Sequence, residues 1–327
     1  MIAAPPFRDC HISVVSTRLD TLRTYWARSS EDAERPLALQ RASGKPIAEL
    51  GGALCRVDEN GAVSTIDMWM AAGMTWNEAD LLVTSPWAVA EVSGDLSRRS
   101  DDIWNIPLLN AVHWVAPSKA GWLLACSGLD LIIEVDRSGA VVWQWWAIDH
   151  GMHTDPMGRH RTIDRDADHR GVDYGTMAQT THVNSVVEAS DGSIVATLFH
   201  QGWLIRIDRT TGDYERLVDG LVHPHAVRST PDGGVSFVDT GTGRVLIARP
   251  GHDRGFEVAI KADTDWLQDG SYDVARQRWL LVDGRRSRIL SYRADEYDSP
   301  STEPAIWQLS DRWRPYGAIG AHCGGTP

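Results

Sequence analysis

The stretch His182-Val-Asn184-Ser-Val-Val-Glu-Ala-Ser-Asp191-Gly192-Ser-Ile-Val-Ala-Thr197 returns, with drift, as His223-Pro-His225-Ala-Val-Arg228-Ser-Thr-Pro-Asp232-Gly233-Gly-Val-Ser-Phe-Val238. Superposed on their Asp-Gly pairs, the two copies lie 41 residues apart (Asp191 to Asp232). A period of about 40 residues built from short strands and Asp-Gly turns is the mark of a propeller blade. Each blade buries its faces against its neighbours, and all blade starts meet around one channel. His182 then matches His223, and Asn184 matches His225.

Working outward, the blade template recurs from Asn110, through Val112-His113-Trp114-Val-Ala-Pro, the turn glycine Gly121 and Asp136-Arg-Ser-Gly139. It recurs again around Gln268-Asp269-Gly-Ser, followed by Arg278-Trp-Leu-Leu-Val-Asp283 and Ser287-Arg-Ile-Leu-Ser-Tyr292. Asp, Ser and Gly at the turns support this reading, because their side chains and backbone freedom suit tight reversals. Arg314-Pro-Tyr316-Gly-Ala-Ile319 reads as an inner strand without outer partners, and it is expected to complete an N-terminal blade and close the ring. Cys10-His11-Ile-Ser-Val-Val-Ser16 reads as an inner strand, Ala53–Val57 and the segment after Gly61 as third and fourth strands, and Leu81–Ser85 as a further strand. The expectation is an all-β fold: one β-propeller domain over residues 1–327, with five to six four-stranded blades. Residues 148–179 break the pattern as a polar inter-blade insertion carrying four histidines and four arginines. A segment of that kind is expected to act as a lid over one mouth of the channel.

The chain has 327 residues, 43% of them hydrophobic, and a net charge of −12. That balance argues against a nucleic-acid partner, which needs a basic face. There is no basic-then-apolar leader and no apolar run long enough to span a bilayer, so no membrane partner and a cytoplasmic location are expected. The four cysteines (Cys10, Cys55, Cys126, Cys323) form no CxxC motif. Free thiols are expected, with Cys10–Cys323 the one pairing that ring closure would favour.

Alignment on the turn glycines makes His113 equivalent to His225. Residues two apart on a strand share a face, so His182 with Asn184, and His223 with His225, are expected to point the same way. His113, His182, His223 and His225 are therefore the expected ligands of a divalent transition metal (Fe, Zn, Mn or Cu), bound by imidazole with positions open for substrate. Without a metal the same residues serve as acid/base groups. The expected catalytic residues are His182, His225, Arg228 and Tyr316. The expected substrate-binding residues are Trp114, Asn184, Asp269 and Arg170. Trp104, Trp203 and Trp266 are further candidates to line a pocket. Aspartates in the blade turns, with Asp239 and Asp283 after second strands, are expected to be structural anchors. No glycine-rich nucleotide loop and no GxSxG elbow occurs, so no nucleotide cofactor is expected.

The strings His182-Val-Asn-Ser-Val-Val-Glu-Ala-Ser-Asp-Gly-Ser-Ile, Ile205-Arg-Ile-Asp-Arg-Thr-Thr-Gly212 and Ile133-Glu-Val-Asp-Arg-Ser-Gly-Ala-Val-Val-Trp143 resemble the arylsulfotransferase-type propellers. The His223 blade, with Asp239-Thr-Gly-Thr-Gly-Arg-Val245, also resembles NHL and gluconolactonase-type propellers. The first resemblance implies channel histidines and an arginine that handle a sulfuryl group, with His182 and His225 at the matching positions. The second implies a divalent metal in the channel. The chain departs from the arylsulfotransferases in being shorter and without an export signal.

The resulting expectation is an enzyme of specialised metabolism acting in the channel on a small molecule, including molecules with an anionic group. Metal-dependent lyase, isomerase, hydrolase and oxidative chemistry all fit such a centre. The alternatives are arylsulfotransferase-like group transfer through a channel histidine, or a non-enzymatic binding propeller.

Overall fold

The computed structural model describes residues 4–32, 47–249 and 255–322. The chain opens with β1 (Cys10–Ser16), the helix α1 (Leu19–Asp32), β2 (Ala53–Val57) and β3 (Val63–Asp67). A second sheet follows as β4 (Met74–Asn77), β5 (Asp80–Ser85), β6 (Ala88–Ser93) and β7 (Arg99–Ser100). The third is β8 (Val112–Pro117), β9 (Gly121–Cys126), β10 (Leu131–Asp136) and β11 (Val141–Trp146). The fourth is β12 (Val183–Glu188), β13 (Ile194–Leu198), β14 (Trp203–Ile207) and β15 (Tyr214–Val218). The fifth is β16 (Pro224–Ser229), β17 (Val235–Asp239), β18 (Arg244–Ala248) and β19 (Glu257–Lys261). The sixth is β20 (Leu267–Asp273), β21 (Arg278–Asp283), β22 (Arg288–Arg293) and β23 (Ala305–Gln308). The last strand, β24 (Arg314–Gly320), pairs with β1, so the first sheet has the order β24-β1-β2-β3.

The result is a six-bladed propeller of antiparallel four-stranded sheets. The first strand of each blade meets the first strands of its neighbours, β4 with β8, β8 with β12, and so on round to β24 with β4. These six strands line the axis. Closure works as the C-terminal strand suggested: Cys10 opposes Gly320 and Ile12 opposes Ala318 in the β1–β24 ladder. Terminal closure removes a free sheet edge and ties the two ends of the chain together. It also displaces β1 from the inner position expected for it to second place, because β24 takes the axial position. Sequence reading missed the second blade as a unit, since its strands are short and β7 has only two residues.

The repeated Asp-Gly pairs do what their chemistry suggests. Asp191 Oδ1 accepts from the Ser193 amide at 2.9 Å, and Gly192 takes the left-handed φ of +87° that the reversal requires. Gly233 repeats this at φ +84°, with Asp232 Oδ1 accepting from Gly234. Asp239 and Asp283 are fully buried and bonded to Val222, Arg244, Arg286 and Arg288, as anchors should be. Between blades, alternate strand residues interdigitate, with Trp145, Ile205, Val238 and Trp279 in one cluster that crosses four sheets. Cys10, Cys55 and Cys126 are buried free thiols, and burial pushes each up to about 12. Cys323 lies outside the described residues. No helix among the described residues is long and apolar enough to cross a membrane.

Candidate active site

Every inner strand starts at the same end of the ring, and there the axis opens into a cavity of about 800 Å³. All six blades reach it. Its wall carries His113, His182, His223 and His225, together with His200, Phe199, Trp266, Arg285, Arg314 and Tyr316. Arg23 and Trp26 of α1 come over it from above, beside Thr176 and Met177. The lining includes no carboxylate.

The blade starts explain how the histidines arrive. Ala111, His182 and His223 each precede the turn glycine of their blade by the same interval, and all three have left-handed backbones (φ 45°, 49° and 58°). A non-glycine residue in that region carries strain of order 1 kcal/mol, which the surrounding structure must hold in place. In the His182 blade it is held by Asp130. Its buried carboxylate accepts from the amides of Thr180 (2.8 Å), Thr181 (2.8 Å) and His182 (2.9 Å), and pairs with the buried Arg161 guanidinium. His182 precedes β12 rather than belonging to it, so it does not share a face with Asn184. Asn184 instead points between blades, donating to Pro224 O at 3.1 Å and accepting from Thr197 at 2.7 Å. His223 and His225 do both line the cavity.

The tautomers follow from the partners. Gln179 donates its amide nitrogen to Tyr174 O at 2.8 Å, which turns its oxygen toward His182 Nδ1. Nδ1 of His182 therefore carries the proton and Nε2 the lone pair. His113 Nδ1 donates to Ala111 O at 2.6 Å, and His225 Nδ1 donates to His223 O at 2.8 Å, the same contact in two blades. Thr240 sits 2.8 Å from the same nitrogen of His225. Desolvation pushes His113 down to about 4 and His225 down to about 3. His182 lies well below the usual imidazole range, first through burial and then through its neighbours, chiefly His113, whose ring centroid is 4.8 Å away. These are neutral imidazoles at physiological pH.

The cations nearby are not neutralised in the same way. Arg314 donates to Gly284 O, and its guanidinium lies 5.4 Å from the Trp26 ring and 5.7 Å from the Trp266 ring. Burial pushes it down to about 10, so it stays charged at neutral pH, and it makes no ion pair among the described residues. Tyr316 packs on His113 at 5.9 Å. Its buried hydroxyl has no hydrogen-bond partner among the described residues, and burial holds it protonated.

Other residues expected at the site lie elsewhere. Arg228 is bonded to Asp269 (2.9 and 3.1 Å) and stacked over Trp114 at 4.5 Å, within the channel and toward its opposite mouth. Asp269 also accepts from the Ala318 and Gly270 amides, which makes it a cross-blade tie. Arg170 is held by Asp168 and Asn105, away from the cavity. The insertion's remaining arginines are likewise paired: Arg159 with Asp155, Arg161 with Asp130, and Arg165 with Asp149. Most of the insertion is docked on the third blade, and only its end, around Thr176 and Met177, reaches this mouth. The larger part of the roof is α1. Trp266 lines the cavity, whereas Trp104 packs against Trp122 and Trp203 lies under Arg216.

The four expected metal ligands share one cavity but not one centre. Among the described residues no three His, Cys, Asp or Glu side chains converge to hold a metal ion. Phe199 supplies the physical reason: its ring meets those of His182 (4.9 Å), His223 (4.3 Å) and His225 (5.4 Å). The donor set as arranged among the described residues does not fit a metal.

Sequence reading missed Phe199, Gln179, Asp130, Arg285, Arg314 and α1. One of these left a trace: Leu19, Leu22 and Trp26 of α1 fall at helical spacing.

Comparison with known proteins agrees with this picture. Residues 124–215, which include Asp130, Gln179 and His182, match the arylsulfotransferase (ASST) family model. No curated protein matches the chain by sequence. Among solved structures, a streptogramin B lyase is similar with a TM-score of 0.53 at 11% identity, over 81% of this chain and 79% of that one. A catalytically inactive histidine-to-alanine variant of virginiamycin B lyase from Staphylococcus aureus, solved with quinupristin, gives 0.51 at 8% identity, over 82% and 84%. A nidogen–laminin complex gives 0.56 at 12% identity, over 82% and 93%. These likenesses are of fold: two lyases and a nidogen–laminin complex share the one scaffold.

Proposed function

We propose that the upper cavity is the active site of an enzyme that transfers an oxyanionic group, with sulfuryl the first to test, between small molecules by way of His182. The observation that carries this reading is the pairing of neutral imidazoles with a half-buried Arg314 that has no ion pair among the described residues, in a cavity without carboxylates. A cationic wall recognises the oxyanion, and a desolvated imidazole with Nδ1 fixed by Gln179 leaves Nε2 as a nucleophile. The match to the arylsulfotransferase family model over the segment that bears His182 favours transfer over elimination.

In the proposed step, Nε2 of His182 attacks sulfur and the bond from sulfur to the donor oxygen breaks, so the donor leaves as an alkoxide or phenoxide. A second alcohol or phenol then takes the group from nitrogen, its proton passing through water to the released alkoxide or phenoxide, and neutral imidazole is regenerated. Tyr316, held protonated beside His113, is the O–H donor assigned to the leaving oxygen. Arg314 offsets the charge that builds on the transferred group.

The test is turnover of aryl sulfate donors with phenol acceptors, by wild type and by His182→Ala and Arg314→Gln, with protein quenched in denaturant at alkaline pH and analysed by mass for a sulfuryl adduct. A donor-dependent adduct absent from His182→Ala supports the reading. No transfer and no adduct with any donor overturns it. Activity abolished by chelation and restored by one equivalent of Fe, Zn, Mn or Cu would instead favour the metal-centred role of His113, His182, His223 and His225.

A further inference from the structure

A second chamber, of about 120 Å³, opens off the active cavity beneath α1. The two share Val15, Trp26, Met70, His113, Thr176 and Tyr316, which form the border between them. The added walls are Tyr25 of α1, Pro86 and Trp87 of the second blade, and Tyr174 of the insertion.

Polar atoms here are largely engaged with the protein itself. Tyr25 donates to Asp173 at 2.6 Å, and Trp87 donates to Val172 O at 3.2 Å. The Gln179 side chain is likewise committed, its oxygen accepting from His182 Nδ1 and its amide nitrogen donating to Tyr174 O. The exceptions are Asn110 Oδ1 and the Tyr316 hydroxyl, which have no hydrogen-bond partner among the described residues; otherwise a ligand meets ring faces and aliphatic carbon. The Tyr25–Asp173 bond also clasps the two insertions, the one between β1 and β2 and the one between the third and fourth blades, into a common roof. Neither insertion belongs to the blade repeat, so the chamber is an addition to the scaffold.

We propose that this chamber determines specificity by holding a compact apolar group, no larger than one ring, of the same molecule whose oxyanion is held at Arg314; this rests on the function proposed above. An apolar cavity of roughly 150 Å³ accommodates benzene, so the chamber is sized for a single ring and not for two fused ones. Burying such a group removes apolar surface from water at both faces. With the anion at Arg314 and the ring under α1, the atoms between them lie past Tyr316 and His113, next to His182. The chamber therefore sets which bond faces the imidazole. Val15, half-buried on the shared border, and Trp87, on the far wall, are assigned as the residues that set its size.

The experiment uses carboxylates of graded size as non-reacting probes: acetate, phenylacetate, cyclohexylacetate and 2-naphthylacetate, titrated calorimetrically into the full chain. Phenylacetate and cyclohexylacetate are expected to bind at least tenfold more tightly than acetate, and 2-naphthylacetate to lose that advantage. Val15→Phe should abolish the one-ring advantage and leave acetate unchanged. Trp87→Ala should restore tight binding of the naphthyl probe. Arg314→Gln should weaken every probe alike. The size series on wild type needs no variant to fold, and thermal melts check those that are made. Equal affinity for acetate and phenylacetate, or a one-ring advantage that survives Val15→Phe, overturns the chamber while leaving the anion site standing. Binding of no probe overturns both.

Discussion

The two mouths of the channel are built from the same six strands, yet they differ in what their charges are free to do. At the upper mouth, the cavity of about 800 Å³ gathers five histidines and three arginines without a carboxylate in its wall. At the lower mouth, a depression of about 400 Å³ is lined by strand ends in which each cation already has its counterion. Arg228 is paired with Asp269, and Asp273 with Arg276 and Arg278. The lesson concerns placement. Charges whose partners are built into neighbouring blades hold the ring together, whereas the half-buried Arg314, with no ion pair among the described residues, is the cation to which the proposed function gives recognition of a group from solution. The left-handed blade starts occur at the upper mouth and swing side chains across the axis. The two long insertions also converge there, through the Tyr25–Asp173 contact.

The sharpest way to break this comparison is to exchange one residue at each end. His182→Ala should lower turnover by about three orders of magnitude, the upper range for losing a positioned acid/base or nucleophilic group, with the melting temperature little changed. Arg228→Met should do the reverse. It leaves Asp269, only 1% exposed, without its partner, and should cost about 3 kcal/mol in chemical denaturation while activity at saturating substrate persists. Adding Asp269→Leu to that variant should recover much of the loss, since replacing both members of a buried pair removes the uncompensated charge. Loss of activity in Arg228→Met with stability unchanged would contradict the division between the two ends.

Arg314→Gln should act on binding more than on chemistry, raising KM about 10- to 100-fold with a smaller change in kcat. An equal fall in both parameters at full stability would move Arg314 from recognition to the transition state. Gln179→Leu tests positioning: it removes the acceptor that fixes the His182 tautomer. It should cost about tenfold in kcat, and Gln179→Asn should fail to rescue it because the shorter side chain cannot span the contact. An unchanged pH profile in Gln179→Leu would show that the contact only packs.

The smallest effect is a titration. An unfolded imidazole takes its proton near 6.5, whereas folded His113 and His11 resist until about 4, and His225 until about 3. The unfolded state therefore binds more protons as pH falls below 6.5. The stability these groups contribute is complete above pH 6.5 and is lost progressively toward pH 4. Melting temperature should fall over that window in wild type and less steeply in His113→Gln. A flat profile from pH 7 to 4 would mean that water reaches these rings.

Much of the ring was readable because it repeats. The 41-residue offset, the Asp-Gly turns and the orphan strand at Arg314 each report a local rule, and the structure satisfies them all. The gathering of His113, His182, His223 and His225 was also readable, since equivalent positions in a ring must share one end. The centre they form was not. Strand alternation failed at His182 because the residue is kinked out of the strand by the carboxylate of Asp130, contributed from another blade. Arg170 and its neighbours looked like an anion clamp because their carboxylate partners, Asp168, Asp155 and Asp130, carry no mark of pairing in the chain.

What the sequence by itself determined is the set of things carried by short-range periodicity: blade, turn, strand order and the inward end. These depend on the steric and hydrogen-bonding preferences of residues within a few positions of one another. Only the tertiary structure decided which charges are spent and which are available, that Phe199 stands among the histidines, and that α1 and the insertion meet over one mouth. Those outcomes depend on contacts between residues tens to hundreds of positions apart, where desolvation and pairing set the energy. No local pattern in the chain records them.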